Sequence, residues 1–350
     1  MSRVKGWMKR EYLIFIGLYL LVLILNYTGV INNYLLQVIM LAGVNIIVTL
    51  SLNLVNGVTG LFSIGHAGFM AVGAYVAAVI STTLMSALEI SSKDFLANGI
   101  LLLALIGGGL VAAGGGFLIA RPTLKVKGDY LAIVTLGFGE IIRSVIRLID
   151  YVGGARGMIG IPKITNFTWV FLVVLLAVYS SRNFIKSTYG RSCLAIRENE
   201  IAAEAMGTDA RKYKTIAFTF SAFWAGIGGG LFAHLLMFIS PDTFAYSKST
   251  DLLVYLYAGG VGTITGAAAG AFLMTLLPEL LRFLDDWRLV IYALVLLYVI
   301  IWRPYGISGG RELDQCVCGI ADRNRIRSIY YADRMIKSAH SGRNRSRKSV

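Results

Sequence analysis

From residue 12 to residue 88 the chain carries no Asp, Glu, Lys or Arg, a stretch of 77 residues. A soluble fold cannot leave so long a stretch bare, because about a quarter of its residues are ordinarily charged; here the whole chain reaches 15%. Further uncharged runs cover 95–120, 164–181, 215–241, 252–278 and 289–302. A helix rises about 1.5 Å per residue and the hydrocarbon core is about 30 Å thick, so roughly 20 apolar residues cross it. The runs fit that ruler repeatedly. They predict an all-α fold, a polytopic transmembrane helix bundle of about eight to ten spans.

The net charge of +14 is placed by the same logic. Lys and Arg lie in a short N-terminal segment, in loops between apolar runs and in the last 48 residues. Retention of basic residues on the cytoplasmic side produces that pattern, and no nucleic-acid partner is needed to explain it. Arg3, Lys5, Lys9 and Arg10 make residues 1–11 a basic cytoplasmic N-terminus. No small-residue cleavage site follows, which predicts an uncleaved first helix. Spans are expected at 12–30, 34–56, 61–84, 98–120, 129–149, 166–181, 215–238 and 287–302, a membrane domain of 12–302. Segments 120–128 and 182–214 face the cytoplasm, and 85–97, 150–165 and 239–251 face outward. Both termini are expected in the cytoplasm. Cys193, Cys316 and Cys318 fall in cytosolic segments, where thiols stay reduced, and Cys316-Val-Cys318 has no second pair to hold a metal.

Counting spans leaves 252–278 with both ends outside. It contains Gly259-Gly260-Val261-Gly262-Thr263-Ile264-Thr265-Gly266, a helix breaker, so it reads as two short halves that dip in and return. Irregular backbone at depth persists only where protein or a wet cavity satisfies it. A second interruption is Asn56-Gly57-Val58-Thr59-Gly60. Glycine-broken segments in both halves of a transporter often mark its path. That reasoning selects Gly60, Ser63, Gly65 and His66 with Gly259, Gly260, Gly262 and Thr263; an ordinary tight turn is the plainer reading of 56–60. The clusters Gly107–Gly109, Gly114–Gly116 and Gly228–Gly230 suit close helix approach in lipid. There is no GxxxxGK[ST] phosphate loop.

Glu140, Arg143, Arg147 and Asp150 recur at i, i+3, i+7 and i+10, within about an 80° sector of one helix face. Their spacing predicts the pairs Glu140–Arg143 and Arg147–Asp150, with Glu140 the most buried. The stripe either lines a pathway, anchors a neighbouring helix, or reaches to the outer interface. His66 and His234 have no partner at i+3 or i+4, so packed, hydrogen-bonded histidines are expected and no metal site. No catalytic constellation is present. In 182–214, Glu200 and Glu204 alternate with Ile201, Ala202, Ala203, Ala205 and Met206. This predicts a short helix, a stop at Gly207, and a new helix capped by Thr208-Asp209. Such a cytosolic elbow suits docking to a motor protein.

Ile201-Ala202-Ala203, with Glu204, Ala205 and Met206 leading to Gly207, resembles the coupling loop of ATP-binding-cassette importer permeases. Ile201 stands where the consensus has Glu, as in the divergent loop of the branched-chain amino acid permeases. Gly60-Leu61-Phe62-Ser63-Ile64-Gly65-His66-Ala67-Gly68-Phe69, Thr135-Leu136-Gly137-Phe138-Gly139-Glu140, Ser240-Pro241-Asp242-Thr243-Phe244, Gly259-Gly260-Val261-Gly262-Thr263 and Arg303-Pro304-Tyr305-Gly306 are similar to the same family, in order, over about 12–314. The resemblance implies an importer of leucine, isoleucine and valine in a bacterial plasma membrane. It implies two cytoplasmic ATPase subunits holding ATP and magnesium, a second homologous permease and an extracytoplasmic solute-binding protein; this chain itself would bind no cofactor. Residues 303–350 form a basic tail, disordered from about 315, with nine basic and two acidic residues over 315–350. The rival readings are a permease of the same kind for urea or short amides, an ATP-independent secondary transporter with the charge stripe as its ion relay, and a polytopic membrane enzyme.

Overall fold

A computed structural model of the protein describes residues 32–91, 94–124, 130–284, 287–302 and 306–307. The expected first span at 12–30, the basic N-terminus and the tail beyond 307 lie outside the described residues. Helix α1 covers Asn33–Asn53 and runs into a π-turn at Leu54–Val58. Then come α2 (His66–Leu88), α3 (Phe95–Thr123), α4 (Tyr130–Leu148), α5 (Phe167–Lys186), α6 (Thr188–Glu198), α7 (Glu200–Ala205) and α8 (Ala210–Leu236). The described chain closes with α9 (Tyr246–Gly259), α10 (Ile264–Leu280) and α11 (Trp287–Trp302). Among the described residues, five segments are long and apolar enough to cross a membrane: Asn33–Val58, α2, α3, α5 and α8. The apolar windows of Asn33–Val58 and α8 are 78% buried and that of α5 only 22%, so the first two form the bundle's interior.

Lipid tails are as apolar as leucine, so helices in a bilayer hold together by close packing and not by water exclusion. Small residues provide that packing between α2, α3 and α8. A Cβ at Gly73 would stand 2.2 Å from the Gly226 Cα, and one at Gly229 would stand 2.0 Å from the Met70 carbonyl oxygen. Gly108 meets the Gly73 carbonyl in the same way. Gly114 and Gly115 depart from the expectation: a Cβ there would meet nothing within 4 Å. Around this seam Ile47, Leu50, Met70, Leu101, Leu231 and Leu252 are almost fully buried.

Several boundaries differ from the sequence reading. Helix α3 extends through Arg121 to Thr123, and α5 carries Arg182 and Lys186 on its last turns. The segment 182–214 holds a further helix, α6, ahead of the expected short one. The outer loop expected at 239–251 is shorter, because α9 begins at Tyr246 and takes Lys248 and Asp251 into its first turns. Two short strands, β1 (Met158–Ile159) and β2 (Phe238–Ile239), pair antiparallel and tie two loops together. The glycine-broken run does form a helix pair, α9 and α10, joined through residues 260–263.

Candidate functional site

The two glycine breaks meet. Asn53, on the last turn of α1, accepts a hydrogen bond from the Gly262 amide at 2.8 Å and donates to the Thr263 carbonyl at 3.1 Å. The Thr263 hydroxyl donates to the Gly260 carbonyl at 3.0 Å. The polar backbone of the second break is thus satisfied from the first, as non-helical backbone in a membrane protein requires. Glycine is required on both sides. A Cβ on Gly57 would lie 2.6 Å from the Gly262 nitrogen, and Gly262 has φ +85°, a left-handed conformation.

Arg197, on α6, closes the junction. Its Nη1 donates to the Gly57 carbonyl at 2.5 Å. A Cβ at Gly60 would stand 2.9 Å from the Arg197 Cγ, and one at Gly262 would stand 3.0 Å from Nη1. One side chain of α6 therefore touches both breaks.

The remaining path candidates divide between this junction and a second node. Asn56 folds the 56–63 turn: its Oδ1 accepts from the Ser63 amide at 3.2 Å, and its Nδ2 donates to the Ser63 carbonyl at 3.4 Å. The buried Ser63 hydroxyl has no hydrogen-bond partner among the described residues. Gly65 packs on the Thr135 carbonyl, whose hydroxyl accepts from the Ile64 amide. His66 sits apart from Gly259–Thr263. Its Nε2 lies 2.8 Å from the Ser51 hydroxyl and 3.3 Å from that of Ser221. Both serine protons are already given to the carbonyls of Val48 and Ser51, so Nε2 carries the proton and donates. Nδ1 is left an acceptor with no partner among the described residues. His234 bridges the Gly230 carbonyl and Ser81. Both are packed, hydrogen-bonded histidines. Gly259 abuts Gly266 and Gly270, and Gly260 abuts Gly306, so these glycines serve close packing.

The elbow is built by capping. The Asn199 side chain caps α7 by accepting from Ala202, Gly207 stops it at φ +86°, and Asp209 caps α8 by accepting from Lys212 at 3.1 Å. Ala203 faces inward, buried with Ile196 and Ala210, while Ala202 and Glu204 face out. An ion pair between Glu200 and Lys214 at 2.8 Å ties α7 to α8. Ile201 and Met206 are 81% and 86% exposed, two large apolar side chains on the surface of the elbow. Cys193 is buried below, and burial pushes its thiol up to about 11.

The charge stripe is rearranged relative to its expected pairs. Glu140 and Arg143 do pair, at 2.7 Å, but Arg143 is the more buried, its side chain 19% exposed against 39% for Glu140. Arg147 turns to Asp242 and not to Asp150, because α4 ends at Leu148 and Asp150 begins a separate 3-10 turn. Arg143 reaches the same Asp242 oxygen at 3.2 Å. The hydrogen bond from Arg147, with both guanidinium charges, holds the Asp242 carboxyl below the usual carboxylate range. Sequence reasoning missed Asn53, Arg197, Asp242 and Lys248 as site residues. One signal was available: Asn45, Asn53 and Asn56 fall within about an 80° sector of one face of an otherwise apolar run.

The family described as "Branched-chain amino acid transport system / permease component" matches residues 34–301. The high-affinity branched-chain amino acid transport system permease protein LivM of Escherichia coli K12 is 31% identical over 82% of this chain and 73% of its own length. LivM of Salmonella typhimurium is 32% identical over 75% of this chain and 67% of its length. The high-affinity branched-chain amino acid transport system permease protein LivH of Escherichia coli K12 is 23% identical over 77% of this chain and 92% of its own length. No solved structure matches the chain. With a family match across the bundle and both breaks, and with helices that fit a multi-pass membrane protein, the chain belongs to the branched-chain amino acid transport permease family.

Proposed function

We propose that this chain is one permease subunit of an ATP-binding-cassette importer that carries leucine, isoleucine and valine across a bacterial plasma membrane. The relatives' printed cargo supports branched-chain amino acids over urea or short amides. Two differently named Escherichia coli permeases, LivM and LivH, are both similar to this chain, which supports a pairing with a second, homologous permease. In this reading two cytoplasmic ATPases hold ATP and magnesium, and a solute-binding protein delivers cargo from outside. The termini lie in the cytoplasm.

The observation that carries the reading is the position of Arg197. The ATPases press on Ile201 and Met206. Helices α6 and α7 respond as one body, because Ile196, Ala203 and Ala210 pack together and Glu200 is bound to Lys214. Arg197 then delivers the displacement to Gly57 and Gly262, where α1 and the α9–α10 pair are broken and can yield. In the assembled transporter in vesicles, Arg197→Met should lower leucine uptake about tenfold, equivalent to about 1.4 kcal/mol of lost linkage. ATP hydrolysis should persist, uncoupled from uptake. Full leucine uptake by this variant would refute the role.

A further inference from the structure

A second polar node lies at mid-depth, away from the junction. Asn45 is the thirteenth of the 26 residues in Asn33–Val58, about 18 Å from either end and so near the middle of the hydrocarbon core. Lys248 donates from Nζ to the Asn45 Oδ1 at 3.1 Å, and Asn45 donates to the Thr275 hydroxyl at 3.0 Å, joining α9, α1 and α10. The ammonium also lies over the Phe232 ring, 5.5 Å from its centroid. One turn along α9, Asp251 places the opposite charge within electrostatic reach of Lys248.

Charges in the membrane interior are costly and are kept where they serve a pathway. A pair held only for packing uses its hydrogen-bonding capacity internally. Here an ammonium with three donors spends one on Asn45, and among the described residues the charge that faces Asp251 is Lys248, with the phenols of Tyr255 and Tyr292 also in its electrostatic reach. The pair also stands on the first half of the broken hairpin. In transporters, cargo sites lie near the bilayer midplane and are built on discontinuous helices; the pair stands at that depth on such a helix, about 16 Å along α9 from the break itself. A free α-amino acid brings a carboxylate, an ammonium and, for the branched-chain members, an apolar side chain. Its two charges complement Lys248 and Asp251, and Phe232 offers apolar surface beside them. We propose that Lys248 and Asp251 receive the carboxylate and the ammonium of a zwitterionic α-amino acid at the bilayer midplane. This rests on the amino-acid cargo proposed above.

The test is radiolabelled leucine uptake by the full transporter, reconstituted with its ATPases and binding protein, for two variants. Lys248→Met/Asp251→Leu removes both charges together with the Lys248–Asn45 bond, whereas Asp251→Asn leaves that bond in place. Asp251→Asn is nearly isosteric and guards against misfolding. Co-purification of the ATPases controls for assembly. Both variants should lose about tenfold or more of leucine uptake. Uptake within about twofold of the unaltered transporter in either variant overturns the site and leaves the cargo reading standing. Failure of the unaltered transporter to take up leucine overturns the cargo reading, and the site with it.

Discussion

Asp242 shows how a single side chain can fix the mouth of the bundle. Arg143 and Arg147 converge on it from α4, and it sits in the turn that follows β2. Its pKa is depressed in the folded protein, so the stabilisation is present above the ordinary Asp value near 3.8 and is lost only as pH falls through the lower folded value. The melting-temperature difference between the unaltered protein and Asp242→Asn should therefore stay constant from about pH 7 down to about pH 4.5. A difference that fades within that window would show that the arginines do not hold the carboxylate. Gly57 makes a steric prediction. Gly57→Ala drives a methyl into the Gly262 backbone and should cost about 1–3 kcal/mol of stability by denaturant titration, the range for overpacking. An unchanged midpoint would mean that the two breaks part easily.

Among the elements, the elbow separates docking from folding. Ile201→Asp and Met206→Asp change exposed side chains, so each should leave the melting temperature nearly unaltered, within about 0.5 kcal/mol, while ATPase recovery in co-purification drops. Ala203→Phe should do the reverse and destabilise α7 first, because Ala203 is packed on Ile196 and Ala210. The elbow was legible in the sequence because its signals are local: the cap at Asp209 and the stop at Gly207 act within a few residues of themselves. The long spans were legible too, since a bilayer demands an uncharged run of fixed length. The start of α9 was not. Tyr246-Ser247-Lys248-Ser249-Thr250 reads as a polar loop, and its helix is held by distant contacts, the Ala67 amide on the Ser249 hydroxyl and Lys248 on Asn45. The same holds for the junction. Gly57 and Gly262 announced two breaks, but Asn53 joins residues 209 positions apart and Arg197 joins residues 140 apart, and no local pattern encodes such pairings. The stripe on α4 shows both cases at once: Glu140–Arg143 is an i,i+3 pair readable from spacing, whereas the partner of Arg147 lies 95 positions away.

Taken together, the fold joins an exposed elbow to a pair of broken segments through Arg197 and sets Lys248 and Asp251 on the first half of the broken hairpin. In the function proposed, energy enters this subunit mechanically, through the elbow, and the sequence contains no GxxxxGK[ST] phosphate loop. The most direct measurement is leucine accumulation in sealed vesicles, first with this polypeptide alone and then with its partner permease, ATPases and binding protein. The account predicts uphill accumulation only in the complete assembly, and only with ATP on the ATPase side. Accumulation of leucine against its gradient by the single polypeptide would contradict it.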